Sequence, residues 1–455
     1  MKTGRVIALL LSVFFFPFMG KAAPPSEEEP QSIDAYSADF QKSSSPATQS
    51  SPPLLDLRPQ MLLPVPAPDQ LPQPDVLAAT PVKEEKKEDS DGGDVSIYQQ
   101  AVQASPSDAT AWYQLGIAYH KQDQTAQAMA AWEKAVELEP NYADVWHSLG
   151  VVHRKQGDQE KAIAAWEKAV ACKPAHSIAW NNLGVAYREQ KKAEQSIHAL
   201  QQAVQHNPDY VIAWRNLGVS YAEQEQWEQA AAAWKRATEL DGSSADSWKA
   251  LGGVYRAQNK MAEAEEAWKK AVALQPSLMD VWNHLSDLEQ EQGRLSEALA
   301  ILQEAVEKGA ESPDRMELSQ AWNNIGILHN QQGHADQAIA AFRQAVAIEP
   351  RHVVAWNNLG SLLQQQGQAE EALQAFQQVT RNESSPSLQT SKAWNGMGVI
   401  YHQQGKLDDA IQSLEHAVKA NPRYALAWNN LAVAYRKEGD EQKAAEAERR
   451  SKESL

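Results

Sequence analysis

A single cysteine, Cys172, stands in 455 residues, so no intramolecular disulfide can form and packing alone must hold the fold. Basic residues are short as well. Lys and Arg number 42 against 59 Asp and Glu, a formal net charge of −17, which argues against nucleic acid as the main partner because phosphate contacts need a basic face. The 12 histidines form no HExxH or other metal-ligand spacing, and no glycine loop of the phosphate-cradling kind is present, the glycines recurring periodically inside predicted helices. His153 and His329 fall where tyrosine usually packs and Cys172 where Leu138, Leu240 and Leu274 stand elsewhere, so all three read as core residues. No catalytic residue, metal site or cofactor is expected, and the chain reads as non-enzymatic.

Long apolar runs are missing except at the start. "MKTGRVIALLLSVFFFPFMGKAA" combines Lys2 and Arg5 with the 13-residue apolar run Val6–Phe18 and small residues near Ala22, which predicts a signal peptide over residues 1–22. The run falls short of the roughly 20 residues a comfortable membrane span needs; an uncleaved anchor is the alternative. Either way the chain is expected to be exported, to a periplasm or cell envelope. Tryptophan is absent before Trp112, whereas 13 of the 23 prolines lie between Pro24 and Asp94, with 14 acids against 5 bases. Residues 23–94 therefore read as a disordered, self-repelling acidic linker, interrupted by the apolar stretch Leu54–Pro68, "LLDLRPQMLLPVPAP".

Beyond the linker the chain becomes a ruler with a 34-residue period. With Ala109 as slot 1, slot 4 is tryptophan in ten successive repeats, from Trp112, Trp146 and Trp180 to Trp428. Slot 8 is glycine in eight, slot 20 alanine in nine, slot 27 alanine in eight and slot 32 proline in six. Slots 4, 8 and 11 share one helical face, as do slots 20, 24 and 27, so each repeat predicts two helices packed as a hairpin. Glycine inside a helix costs about 1 kcal/mol relative to alanine, and slot 8 keeps it so that the bulky slot 24 can approach. Proline at slot 32 ends the second helix. The spacing stretches to 40 between Trp282 and Trp322 and to 38 between Trp356 and Trp394, which predicts surface-loop inserts near 309–318 and 382–390. Val95–Pro106 carries slots 24, 27 and 32 alone, a capping half-repeat over 95–108, and "EAERRSKESL" is a polar closing helix.

The pattern resembles the tetratricopeptide repeat family across residues 109–455. That resemblance implies an all-α, right-handed superhelical solenoid of about ten repeats, with slots 2, 5, 6, 9, 12 and 13 of each first helix lining a concave groove. Valine at slot 9 (Val151, Val185, Val219) is unlike the chaperone clamps of the family that grip a C-terminal carboxylate. The recurring "AWNNLG" puts Asn182, Asn216, Asn324, Asn358 and Asn430 in slot 6, and Asn181, Asn283, Asn323, Asn357, Asn395 and Asn429 in slot 5. Amides offer a donor and an acceptor each, and the superhelical repeats of protein O-GlcNAc transferases, which these resemble, carry such a ladder at slot 6. No glycosyltransferase domain accompanies them here, so the resemblance implies the holding of an extended peptide. Arg154, Arg188 and Arg256 in slot 12 would draw an acidic partner segment to the N-terminal half through carboxylate pairs. Two other readings stay open: an assembly subunit of a cell-envelope machine such as polysaccharide export or secretion, and a targeting partner for a separately encoded enzyme. Membrane contact is expected only through an uncleaved N-terminus.

Overall fold

Residues 95–309, 312–382 and 386–454 are described by the structure, a computed structural model. The expected signal peptide, the acidic linker, Leu54–Pro68 and the centres of both inserts lie outside them. Among the described residues there are 21 helices and no strand: a solenoid of helical hairpins, as the period implies. None of these helices is long and apolar enough to cross a membrane.

Glycine at slot 8 has the packing reason its cost demands. An added Cβ at Gly150 would stand 2.4 Å from Trp166 Nε1, and one at Gly252 2.3 Å from Trp268 Cδ1. The slot-24 indoles are buried, Trp166 to 1% exposure. Three of the four N–H groups donate across the hairpin to slot-5 carbonyls, Trp132 to Tyr113, Trp166 to His147 and Trp268 to Lys249, at 3.2 Å each.

The slot-4 tryptophan has a second duty, at the junction between repeats. Its indole N–H donates to the carbonyl six residues earlier, slot 32 of the preceding repeat: Trp146 to Pro140 at 2.8 Å, Trp214 to Pro208 at 2.8 Å and Trp356 to Pro350 at 2.9 Å. The proline that stops one helix thus presents its carbonyl to the next. Trp322 and Trp394, which come after the inserts, have no such acceptor among the described residues.

The turn within each hairpin uses a second glycine register, one that periodicity alone assigns to the helices. Slot 15 is left-handed in all ten repeats: Gly157, Gly293, Gly333, Gly367, Gly405 and Gly439 have positive φ, and so do Asp123, Lys191, Glu225 and Asn259. A side chain there costs about 1–2 kcal/mol. Lys191→Gly, at φ 59°, is therefore expected to raise the urea midpoint of the chain by the equivalent of about 1 kcal/mol; an unchanged or lowered midpoint would contradict the turn assignment.

The inserts are not merely loops. Repeat seven begins with the 17-residue helix Arg315–Gln331 and repeat nine with the 16-residue helix Leu388–Gln403, against 13 residues in Ala143–Lys155. The extra turns are nucleated by N-caps: Asp314 accepts from the Glu317 N–H at 3.1 Å and Ser387 from the Thr390 N–H at 3.1 Å. The added residues of each insert supply the chain for the early turn; a missing proline alone does not, since Gly242 precedes a helix of ordinary length, Ala245–Ala257. At the start of the array, helix Val95–Ala104 buries Val102 with Leu115 and Ala131. At the far end, helix Glu441–Glu453 buries only Ala444, Ala447 and Ser451.

Candidate functional site

The concave slots are built on the first helices, and the structure places each predicted residue differently from the next. Slot 5 is the least accessible. Asn181 and Asn323 are 1% exposed, and Asn283, Asn357 and Asn395 are buried as well; among the slot-5 asparagines only Asn429 is exposed. Slot 6 leans back onto the slot-5 residue of the repeat before it. Asn216 Nδ2 donates to Asn181 Oδ1, Asn358 to Asn323 and Asn430 to Asn395, each at 2.8 Å. Asn182 Nδ2 meets His147 Nε2 at 3.1 Å. Burial, with His176 adding to it, lowers the His147 pKa to about 3, so the ring is neutral and Nε2 can accept.

The asparagines therefore join repeats edge to edge, and the expectation that slot 5 contacts a ligand is corrected: Asn181, Asn323 and Asn357 are held inside the junctions. Slot 6 is divided. Asn182, Asn216 and Asn324 are buried, whereas Asn358 and Asn430 remain half-exposed. The inserts interrupt this ladder and repair it in the same way twice. Asn283 Nδ2 donates to Glu317 Oε2 at 3.1 Å, and Asn357 Nδ2 to Gln389 Oε1 at 2.9 Å. Glu317 and Gln389 occupy the same position in the two added turns.

The slot-12 arginines are also engaged internally. Arg154 Nη2 donates to Glu189 Oε1 at 2.7 Å, and Arg256 pairs with Glu291. Arg188 stands among Glu223 and Glu189, its pKa lowered by burial against their pull; burial raises that of Glu223. An acidic ligand in this half would have to displace a glutamate of the next repeat. That cross-repeat pairing, slot 12 to slot 13, is signalled in the letters by the 35-residue separation.

Asp287 breaks the apolar run at slot 9. Burial pushes its carboxyl up to about 6, Arg256 opposing and Glu291 and Glu317 adding to the rise. The folded state thus holds the proton more tightly than the unfolded chain, so the carboxylate costs stability as pH rises from about 4 through 6. Asp287→Asn is expected to stabilise the chain by about 1–2 kcal/mol at pH 7.5, discounted because the side chain is half-exposed, and to bring no gain at pH 4. Thermal melts at the two pH values check this; an equal gain at both would remove ionisation as the cause.

Repeats seven to nine present a different surface on the same slots. Asn330, Gln331, Gln364, Gln365 and Gln403 occupy slots 12 and 13. Four of them are exposed and Gln364 is half-exposed. Among the described residues, none of these five side-chain amides is engaged with another side chain. The open amides of the groove are here, away from the "NN" pairs that stand out in the sequence. Glutamine on a helix surface carries little signal by itself: the letters show asparagine and glutamine filling the groove slots of repeats six to nine, but not which of these amides stay open.

Tetratricopeptide repeat family models match residues 109–142, 319–352, 352–423 and 395–454. A model described as the cilia and flagella-associated protein 70 C-terminal domain matches residues 145–320. No curated protein matches the chain. Similar solved structures include YrrB, described as a TPR protein with an unusual peptide-binding site, at 22% identity, 41% of this chain, 97% of that one and TM-score 0.38. The C-terminal part of a TPR repeat-containing protein from Cytophaga hutchinsonii aligns at 14% identity, 54% of this chain, 99% of that one and TM-score 0.48. Pseudomonas aeruginosa pilF aligns at 21% identity, 51% of this chain, 97% of that one and TM-score 0.38.

Proposed function

This chain is a tetratricopeptide-repeat protein and a protein-interaction scaffold, and from that premise we propose that it is exported, catalyses nothing itself, and holds an extended segment of a partner protein in its concave groove. Export rests on the N-terminal "KTGRVIALLLSVFFF". The observation that carries peptide holding is the set of five open amides on slots 12 and 13 of repeats seven to nine. An extended segment presents N–H and C=O groups in alternation, and amides that supply both partners at a repeating interval match it without regard to its side chains. The slot-6 residues Asn358 and Asn430 would widen that surface. Asn182, Asn216 and Asn324 would serve it indirectly, by fixing the register of neighbouring helices.

Photo-crosslinking tests the reading. A benzoylphenylalanine at Ser361, exposed at slot 9 between the amides, should link to one contiguous stretch of a partner in the native envelope fraction. The same probe at Lys235, on a second helix, should link to none. Crosslinks from Lys235 alone would replace peptide holding with an assembly role through the outer face.

A further inference from the structure

The two added helical turns do more than close the ladder. Each exposes one large apolar side chain at the same position, three residues before slot 1: Met316 at 45% and Leu388 at 45%. Helical periodicity puts that position on the concave stripe, since Met316, Gln320, Asn323 and Ile327 succeed one another at spacings of four, three and four. Leu426, 40% exposed, and the half-exposed Val354 hold slot 2 in repeats ten and eight. The first helices of four consecutive repeats therefore each lend one accessible apolar side chain to the same end of the groove.

The charge beside this row is one-sided. Although the chain carries 59 acids, no Asp or Glu occupies slots 2, 5, 6, 9, 12 or 13 in repeats seven to ten. Lys392, Arg436 and Lys437 do; Arg436 pairs with Glu441 and Glu448 of the closing helix, whereas neither lysine has an ion-pair partner among the described residues. In repeats two to six most cations in the same slots face acids of a neighbouring repeat, as Arg154 faces Glu189, Lys249 faces Asp280 and Arg256 faces Glu291, Arg215 bonding Ser244 instead. Acids in the added turns are already used, Glu317 by Asn283.

We propose that repeats seven to ten are the docking half of the groove, and that their occupant is an extended partner segment that is net acidic and carries regularly spaced apolar side chains. This rests on the peptide-holding reading and adds to it the place and the chemistry of the ligand. Open amides along slots 12 and 13 take the main chain, the apolar row takes side chains along one edge, and Lys392 and Lys437 select against basic segments by repulsion. Selection of this kind acts on specificity and on association rate more than on raw affinity.

A displayed library of random 16-residue peptides, panned on the full chain, tests it. Enriched peptides should carry more acids than bases together with apolar residues, and their recovery should fall by at least about tenfold on Met316→Glu/Leu388→Glu. It should stay unchanged on Ile97→Glu, whose side chain is still more exposed but lies on the helix Val95–Ala104. Enriched peptides that are basic, or that bind Met316→Glu/Leu388→Glu as well as wild type, would overturn the inference. If such peptides are instead lost on Lys249→Glu, the groove still holds peptides but the docking half is the other one. If no peptide is enriched, both readings fall.

Discussion

Gly150→Ala is expected to destabilise the chain by about 2 kcal/mol, although alanine is the better helix former by about 1 kcal/mol. The added methyl would lie 2.4 Å from Trp166 Nε1 and 2.5 Å from its Cδ1, distances no real contact keeps, so either the indole or the helix must move. Trp166 is 1% exposed and its N–H is bonded to the His147 carbonyl at 3.2 Å, which leaves it little room. Trp166→Leu alone should cost about 2–4 kcal/mol through lost burial and cavity. In that background Gly150→Ala should cost much less. The chain shows such relief in two hairpins, Ser286 opposite Leu302 and Ala432 opposite Glu448, whereas Gly184 and Gly398 still face Leu200 and Leu414. Urea denaturation of the four members of the cycle measures the coupling; additive costs would mean that glycine is kept for some reason other than the indole.

Asn181→Ala should cost about 1–3 kcal/mol, because it strands the buried Asn216 amide that donates to it at 2.8 Å. A solvent-facing asparagine would change stability by no more than about 0.5 kcal/mol, so the size of the effect separates a junction from a ligand contact. Asn216→Ala should cost a comparable amount, and the double variant clearly less than the sum. Hydrogen exchange should report the loss at the helices Ser177–Glu189 and Val211–Glu223. A neutral Asn181→Ala would make the residue a groove contact after all. Substituting the asparagines to test peptide binding therefore confounds two effects, whereas the exposed Gln331, Gln365 and Gln403 can be changed to alanine without touching a junction.

How much of the fold and the site is legible in the sequence depends on the range of the interactions involved. Trp166 opposite Gly150 is a contact within one hairpin, 16 residues apart, and helical periodicity alone brings the two together. The asparagine pairs join neighbouring repeats. Their recurring separation of 35, as in Asn181 and Asn216, is visible in the letters. Periodicity within one helix cannot say that two first helices turn these faces toward each other. The slot-15 turn escapes notice because six glycines are mixed with Lys191 and Glu225, which hide the backbone requirement behind ordinary side chains. At the inserts, length alone suggests loops. The caps Asp314 and Ser387 are the better guide, for they start one more turn of helix.

The slot-4 indoles also turn the array into its own set of spectroscopic probes. Eight of the ten hand their N–H to a backbone carbonyl at a turn, and among the described residues Trp322 and Trp394 have no such acceptor. Among the slot-4 signals of a nitrogen-15 indole spectrum, those two should stand apart and exchange fastest with water. Both report from the repeats where the first helix starts a turn early, so a ligand settling there would announce itself through residues the chain already has.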